Sequence, residues 1–205
     1  MSGICYIIGA GEVTDPHITA TEQDLIICAD GGYKYKDLLG RVCDIVVGDF
    51  DSYGSVPETE NKIVAPTEKD ETDMMLAVDY GYGKGYRQFV LIGALGGERN
   101  DHSVANIQLL HYIASKGARG TIYHGDEVFT AFSNGTLTLP AELEGYISVF
   151  SLISESRGVT IKNLKYTVDD FTLCSYKPIG VSNEFLGCES SITVEEGTLL
   201  VVYKK

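Results

Sequence analysis

An α/β fold is predicted for this chain, with a parallel sheet in an N-terminal domain (residues 1–126) and an antiparallel β-sandwich in a C-terminal one (127–205). The first 125 or so of the 205 residues alternate short β-branched runs with helical stretches, the pattern of βαβ units. After about Glu127 the texture changes to short apolar–polar alternations broken by Gly, Pro, Asn and Ser. Acidic residues recur at the carboxyl ends of the early strand candidates, where open parallel sheets bind ligands.

The strand candidates of the first half are ICYIIG, DLIICAD, CDIVVGD, KIVAP, QFVLIGA and RGTIYHG. Each is a short run built around β-branched and other apolar residues. Residues 33–39, 72–80 and 102–115 read as helices, the second closing at Gly81 and the third at Gly117. The third carries Val104, Ala105, Ile107, Leu109, Leu110, Tyr112 and Ile113 around most of its circumference, which predicts burial on two sides. In the second half, Gly135-Thr-Leu-Thr-Leu and Val159-Thr-Ile-Lys-Asn-Leu alternate with period two, giving one buried and one wet face per strand.

Composition narrows the function classes. A formal charge of −13, with no Lys/Arg cluster, argues against nucleic acid as a partner. No apolar run reaches the roughly 20 residues that span a bilayer, and the N-terminus lacks the features of a signal peptide, so no membrane role and a cytoplasmic location are expected. The five cysteines are odd in number, widely spaced and mostly set in apolar runs, which reads as reduced core thiols.

Asp30 ends LIICAD and is followed by Gly31-Gly32, where the backbone can approach a ligand closely. Asp49 and Asp51 end IVVGDFDS. Asp70, Thr72 and Asp73 stand at a helix start, where Asp and Thr also cap free N–H groups. Any one of these alone is as well explained by a cap or a turn. All of them on strand ends in one half of the chain point to hard-cation and phosphoryl chemistry, because carboxylate oxygens hold the metals that neutralise phosphate. Gly9-Ala-Gly11 lacks the third glycine and the helix of a dinucleotide fingerprint and reads as a turn; Gly81-Tyr-Gly83-Lys-Gly85 lacks P-loop spacing and reads as a helix stop.

The ordered motifs CADGG, VVGDFDS, EKDETD and GALGGERNDHSVANIQLL, with SNEF at 182–185, resemble the thiamine pyrophosphokinase family. The resemblance implies an N-terminal α/β ATP-binding catalytic domain, a C-terminal thiamine-binding β-sandwich, and a homodimer with active sites shared between subunits. It further implies that Asp30, Asp49, Asp51 and Asp73 hold Mg²⁺ and the ATP phosphates, with Asp49, Asp51 and Asp73 as metal ligands and catalytic residues. Gly31, Asp70, Thr72, Arg99, Asp101 and His102 fall in the nucleotide-binding motifs, and Ser182 and Asn183 match the thiamine-contacting pair. The run 96–102 is similar to the family's Gly-Gly-Arg-x-Asp-His with one residue, Glu98, added before the arginine. The implied reaction is attack of the thiamine hydroxyl on the β-phosphorus of ATP with AMP leaving. Two alternatives remain open: a non-catalytic nucleotide or thiamine sensor, and a phosphatase of the haloacid-dehalogenase type, whose nucleophile motif Asp49-x-Asp51 resembles. Phe185 is placed by position alone as an aromatic face for thiamine.

Overall fold

The computed structural model describes residues 3–14, 16–48, 62–64 and 70–205. Asp49 and Asp51 lie outside the described residues. The chain divides into two compact units, Met1–Leu109 with Ile122–Gly125, and Leu110–Thr121 with Asp126–Lys205. The mixed α/β character expected from the sequence is what the chain forms.

In the first unit, β1 (Cys5–Ile8), β2 (Leu25–Ala29), β3 (Ile45–Gly48), β4 (Lys62–Val64) and β5 (Gln88–Ile92) are joined in parallel by the pairs β1–β2, β1–β5, β2–β3 and β3–β4. β6 (Arg119–His124) lies beside β5, giving the order β6-β5-β1-β2-β3-β4. The strand order reverses at β1, so a crevice is expected outside the carboxyl ends of β1 and β5. Both faces of this sheet are covered: Tyr6, Ile8, Ile26, Cys28, Val90 and Ile92 enter one buried cluster, while the intervening Ile7, Ile27 and Leu91 are wholly buried too. That is why these strands read as unbroken apolar runs.

Helix α1 (Asp73–Gly83) is capped by Thr72, whose hydroxyl accepts from Met75 N at 3.2 Å. Gly81 does not stop it. A Cβ there would lie 2.6 Å from Cys5 Sγ, so this glycine lets the helix sit down on β1. The stop comes at Gly85, φ +97, with Gly85 N donating to Tyr82 O and Tyr86 N to Gly81 O, the hydrogen-bond pattern of a Schellman motif. The helix expected over 33–39 is instead a short 3₁₀ helix, Asp30–Tyr35, continued by i→i−3 turns to Gly40. Helix α2 (Asn100–Ser115) buries one stripe, Asn106, Leu109, Leu110, Ile113 and Ala114, and leaves Val104 exposed; the expectation of burial on two sides is corrected to a single face.

The second unit is antiparallel. It contains β7 (Glu127–Leu139), β8 (Tyr146–Ser151), β9 (Glu155–Lys162), β10 (Val168–Cys174), β11 (Asn183–Glu184) and β12 (Ser190–Lys204). β12 pairs with β7 along most of its length, with an irregularity between Val194 and Thr198. Before that point it also pairs with β9, and after it with β8. Side chains of β8 and β9, which do not pair with each other, meet in one core with Phe132, Leu137, Leu173, Ile192 and Leu199, so the sheet folds over a common interior. All five cysteines are free thiols. Among the described residues no helix is long and apolar enough to cross a membrane.

Candidate active site

A cleft of about 630 Å³ opens in the first unit at the carboxyl ends of β1 and β5, where the strand order reverses. Its rim is glycine backbone. Beyond the strands, Gly9 N donates to Ile92 O at 2.8 Å, Gly11 N to Gly93 O at 2.8 Å and Glu12 N to Leu95 O at 2.9 Å. A Cβ on Gly9 would stand 2.7 Å from Gly93 O, and one on Gly93, φ +63, would stand 2.6 Å from Gly9 O. The turn read from Gly9-Ala-Gly11 is therefore part of the site wall, a role that the missing fingerprint concealed.

Of the residues expected at the site, Asp30, Thr72, Asp73, Arg99 and His102 line this cleft. Asp30 leaves β2 with φ +44, and its Oδ1 is buried with no hydrogen-bond partner among the described residues. Thr72 and Asp73 stand at the start of α1, Arg99 and His102 at the start of α2. Helix N-termini carry free N–H groups and partial positive charge, so both elements favour an anion here.

Gly31 adjoins the lining, its missing Cβ facing Ala10 at 3.1 Å. Asp70 is exposed and does not line the cleft. Asp101 is exposed beside it, where its carboxylate receives Arg99 at 2.5 Å and accepts from His102 N at 3.1 Å. The hydrogen bond from Arg99 holds the Asp101 carboxyl below the usual range, and the same bond raises Arg99. Both side chains are in solvent, so the pair is screened and opens at little cost when an anion competes for the guanidinium.

Several lining residues are given no role by the sequence: Glu12, Lys34, Met74 and Asn106, together with Glu98, which stands out there only as the residue added before Arg99. With Asp30 and Asp73, the cleft presents more carboxylates than cations, a donor set suited to a hard divalent ion and unsuited to bare phosphate. No group of three or more His, Cys, Asp or Glu close enough to share a metal occurs among the described residues.

Comparison with known proteins identifies this architecture. The family model for the thiamin pyrophosphokinase catalytic domain matches residues 17–122, and that for the thiamin pyrophosphokinase vitamin B1 binding domain matches 136–199. The chain belongs to the thiamine pyrophosphokinase family. A thiamine pyrophosphokinase of Bacillus subtilis (strain 168) is 25% identical over 211 residues, covering 98% of each chain. The crystal structure of a thiamin pyrophosphokinase from Geobacillus thermodenitrificans superposes with a TM-score of 0.82 at 26% identity, covering 98% of this chain and 97% of that one. The Candida albicans thiamin pyrophosphokinase, at 16% identity, shares the fold with a TM-score of 0.75 over 98% of this chain and 89% of that one. Neither the phosphatase nor the sensor reading is favoured by these matches.

In the region matched by the family's vitamin B1 binding domain, Ser182 is exposed with φ +61, and its N–H donates to Ser148 Oγ at 3.1 Å. Asn183 differs: it is buried, its Nδ2 donates to Tyr166 O at 2.7 Å, and its Oδ1 accepts from Tyr166 N at 2.8 Å and Glu184 N at 2.9 Å. Its amide clips the chain at Tyr166 to β11. Phe185 is half-buried and packs against the core of this unit, edge-on to Tyr203 with ring centroids 6.2 Å apart.

Proposed function

We propose that this chain transfers the pyrophosphoryl group of ATP to the hydroxyl of thiamine, forming thiamine pyrophosphate and AMP. The observation that carries this reading is the cleft at the strand-order reversal, with Asp30 and Asp73 beside two helix N-termini. Asp49, Asp51 and Asp73, with Asp30, are assigned to Mg²⁺ and the ATP phosphates; the orphaned Asp30 Oδ1 and the oxygen-rich lining fit such an ion. When bound, Mg²⁺ neutralises charge on the phosphate oxygens. Thr72 fixes the start of α1 and so the position of Asp73. Arg99 exchanges Asp101 for a phosphate, and His102, Asp101, Asp70 and Gly31 complete the nucleotide-binding motifs. The thiamine oxygen bonds to the β-phosphorus, the bond from that phosphorus to the oxygen of AMP breaks, and Asp73 accepts the hydroxyl proton. Alignment and charge supply the rate.

The first half acts as the ATP-binding catalytic domain and the second binds thiamine, with Ser182 as its contact. A cytoplasmic homodimer with shared sites is part of the same reading. It is supported by the exposed Tyr146, Tyr166, Val181 and Leu186 in the neighbourhood of Ser182, and light scattering at twice the chain mass is expected. Incubation with ATP, Mg²⁺ and thiamine should yield AMP and thiamine pyrophosphate, and Asp51→Asn should yield neither while melting normally. ADP with thiamine monophosphate would contradict the proposal.

A further inference from the structure

Asn106 is a polar residue in the buried stripe of α2, at a position where the helix elsewhere places Leu, Ile and Ala. It is 5% exposed and lines the cleft. Its Nδ2 donates to Ala94 O at 2.6 Å. That carbonyl accepts and does not donate, so it decides which end of the amide faces it: the nitrogen must, and Oδ1 is directed elsewhere. Oδ1 makes no hydrogen bond to the described residues, nor is it sealed from solvent as Asp30 Oδ1 is.

Three residues earlier, on the same helix face, Ser103 Oγ accepts from Gly96 N at 3.0 Å. Ser103 and Asn106 thus hold the cleft wall 93–97 at two points. This wall contains Gly93, Gly96 and Gly97, all with positive φ, and is held on its other side by the 9–12 turn through Gly93 O and Leu95 O.

We propose that Asn106 is a ligand-reading residue, its Oδ1 accepting a hydrogen bond from a hydroxyl or amino group of the nucleoside part of ATP, while Ser103 is a positioning residue for the wall. The inference rests on the nucleotide occupying this cleft, as proposed above. Phosphate oxygens are acceptors and have nothing to give Oδ1, whereas ribose hydroxyls and the adenine amino group are donors. The position along α2 agrees. Asn106 lies one turn beyond His102, about 6 Å further from the helix N-terminus that suits phosphate.

The test compares steady-state kinetics with ATP, 2′-deoxy-ATP, 3′-deoxy-ATP and purine riboside triphosphate, which lacks the 6-amino group. The unsubstituted protein should disfavour one analogue by about tenfold in KM, the size of one hydrogen bond left unmade in a buried site. Asn106→Leu should bind ATP about tenfold more weakly and treat that analogue as the equal of ATP, with kcat within about twofold. Ser103→Ala should weaken ATP and all analogues alike, and Ser103→Thr should restore them. If the leucine variant does not fold, Asn106→Ser, too short to reach both partners, provides the same comparison. Asn106 variants that retain the original order of preference by the same factors overturn the inference, as does an unsubstituted protein that does not discriminate at all. Failure of the unsubstituted protein to use any of these nucleotides would instead overturn the proposed function on which the inference stands.

Discussion

Asn106 and Asn183 are both buried asparagines, one in each unit, and their surroundings assign them opposite work. Asn183 has its oxygen engaged twice and its nitrogen once within its own unit. Asn106 has one bond through nitrogen and an oxygen left over at a cleft. The motif that carries Asn183 suggests a ligand contact, while Asn106 looks like one polar interruption in an apolar helix. Burial alone does not distinguish a structural amide from a reading one; the count of unsatisfied capacity does.

That contrast can be broken most easily at Asn183. Asn183→Leu should lower the stability of the protein by about 3 kcal/mol, because it strips partners from Tyr166 N, Tyr166 O and Glu184 N together. Urea unfolding reads this directly, and the KM for thiamine of the folded protein should stay within about twofold. An unchanged midpoint with a large rise in the thiamine KM would return Asn183 to the ligand-contacting role implied by the motif. The matching Asn106→Leu substitution should cost less, about 1–2 kcal/mol, since only Ala94 O loses a partner.

The smallest effect separates neutral amides from a charged clasp of similar build. Asp24 accepts from Ile4 N at 2.7 Å and from Thr21 N and Oγ1, while Arg41 joins Asp44 to the Asp24 carbonyl. Burial pushes the Asp24 carboxyl up, but these hydrogen bonds and the Arg41 charge together leave it lowered. Its folded value lies below the ordinary 3.8, so its contribution is complete above that pH and fades as the pH falls through the lowered value. Asp24→Asn should therefore flatten the dependence of stability on pH below about 4, whereas substitutions at either asparagine should leave that slope unchanged. An acid slope unaffected by Asp24→Asn would mean that folding does not lower the Asp24 carboxyl.

Much of the architecture was legible because it is local. The six early strands, the Thr72 cap and the period-two alternation of the second half follow from propensity and pattern acting over a few residues. The length of α1 was misjudged because Gly81 looks like a stop until Cys5 is known to lie against it. In place of the helix expected over 33–39, a 3₁₀ helix begins at Asp30, and within it Gly32 lies so close to β1 that a Cβ would stand 2.0 Å from Ile8 O, an approach that no local pattern reveals. At the site, Asp30, Asp73 and Arg99 could be named from motifs with known chemistry. Lys34 and Glu12 could not, since only the meeting of β1, β2 and β5 brings them to one cleft. Asn106 was readable in principle: counting by threes and fours along α2 puts it in register with Leu109, Leu110 and Ile113.

The reciprocal fit of Gly9 and Gly93 bears on how such an enzyme can be re-engineered. Each glycine occupies space bounded by the carbonyl of the other, and a main-chain carbonyl cannot be trimmed by mutating its owner. A second-site revertant for Gly93→Ala is therefore not to be found at residue 9, and a library that randomises both positions should return glycine at both. New specificity has to enter through lining side chains such as Glu12, Lys34 and Glu98, which can be exchanged while the backbone seam that joins β1 to β5 keeps both glycines.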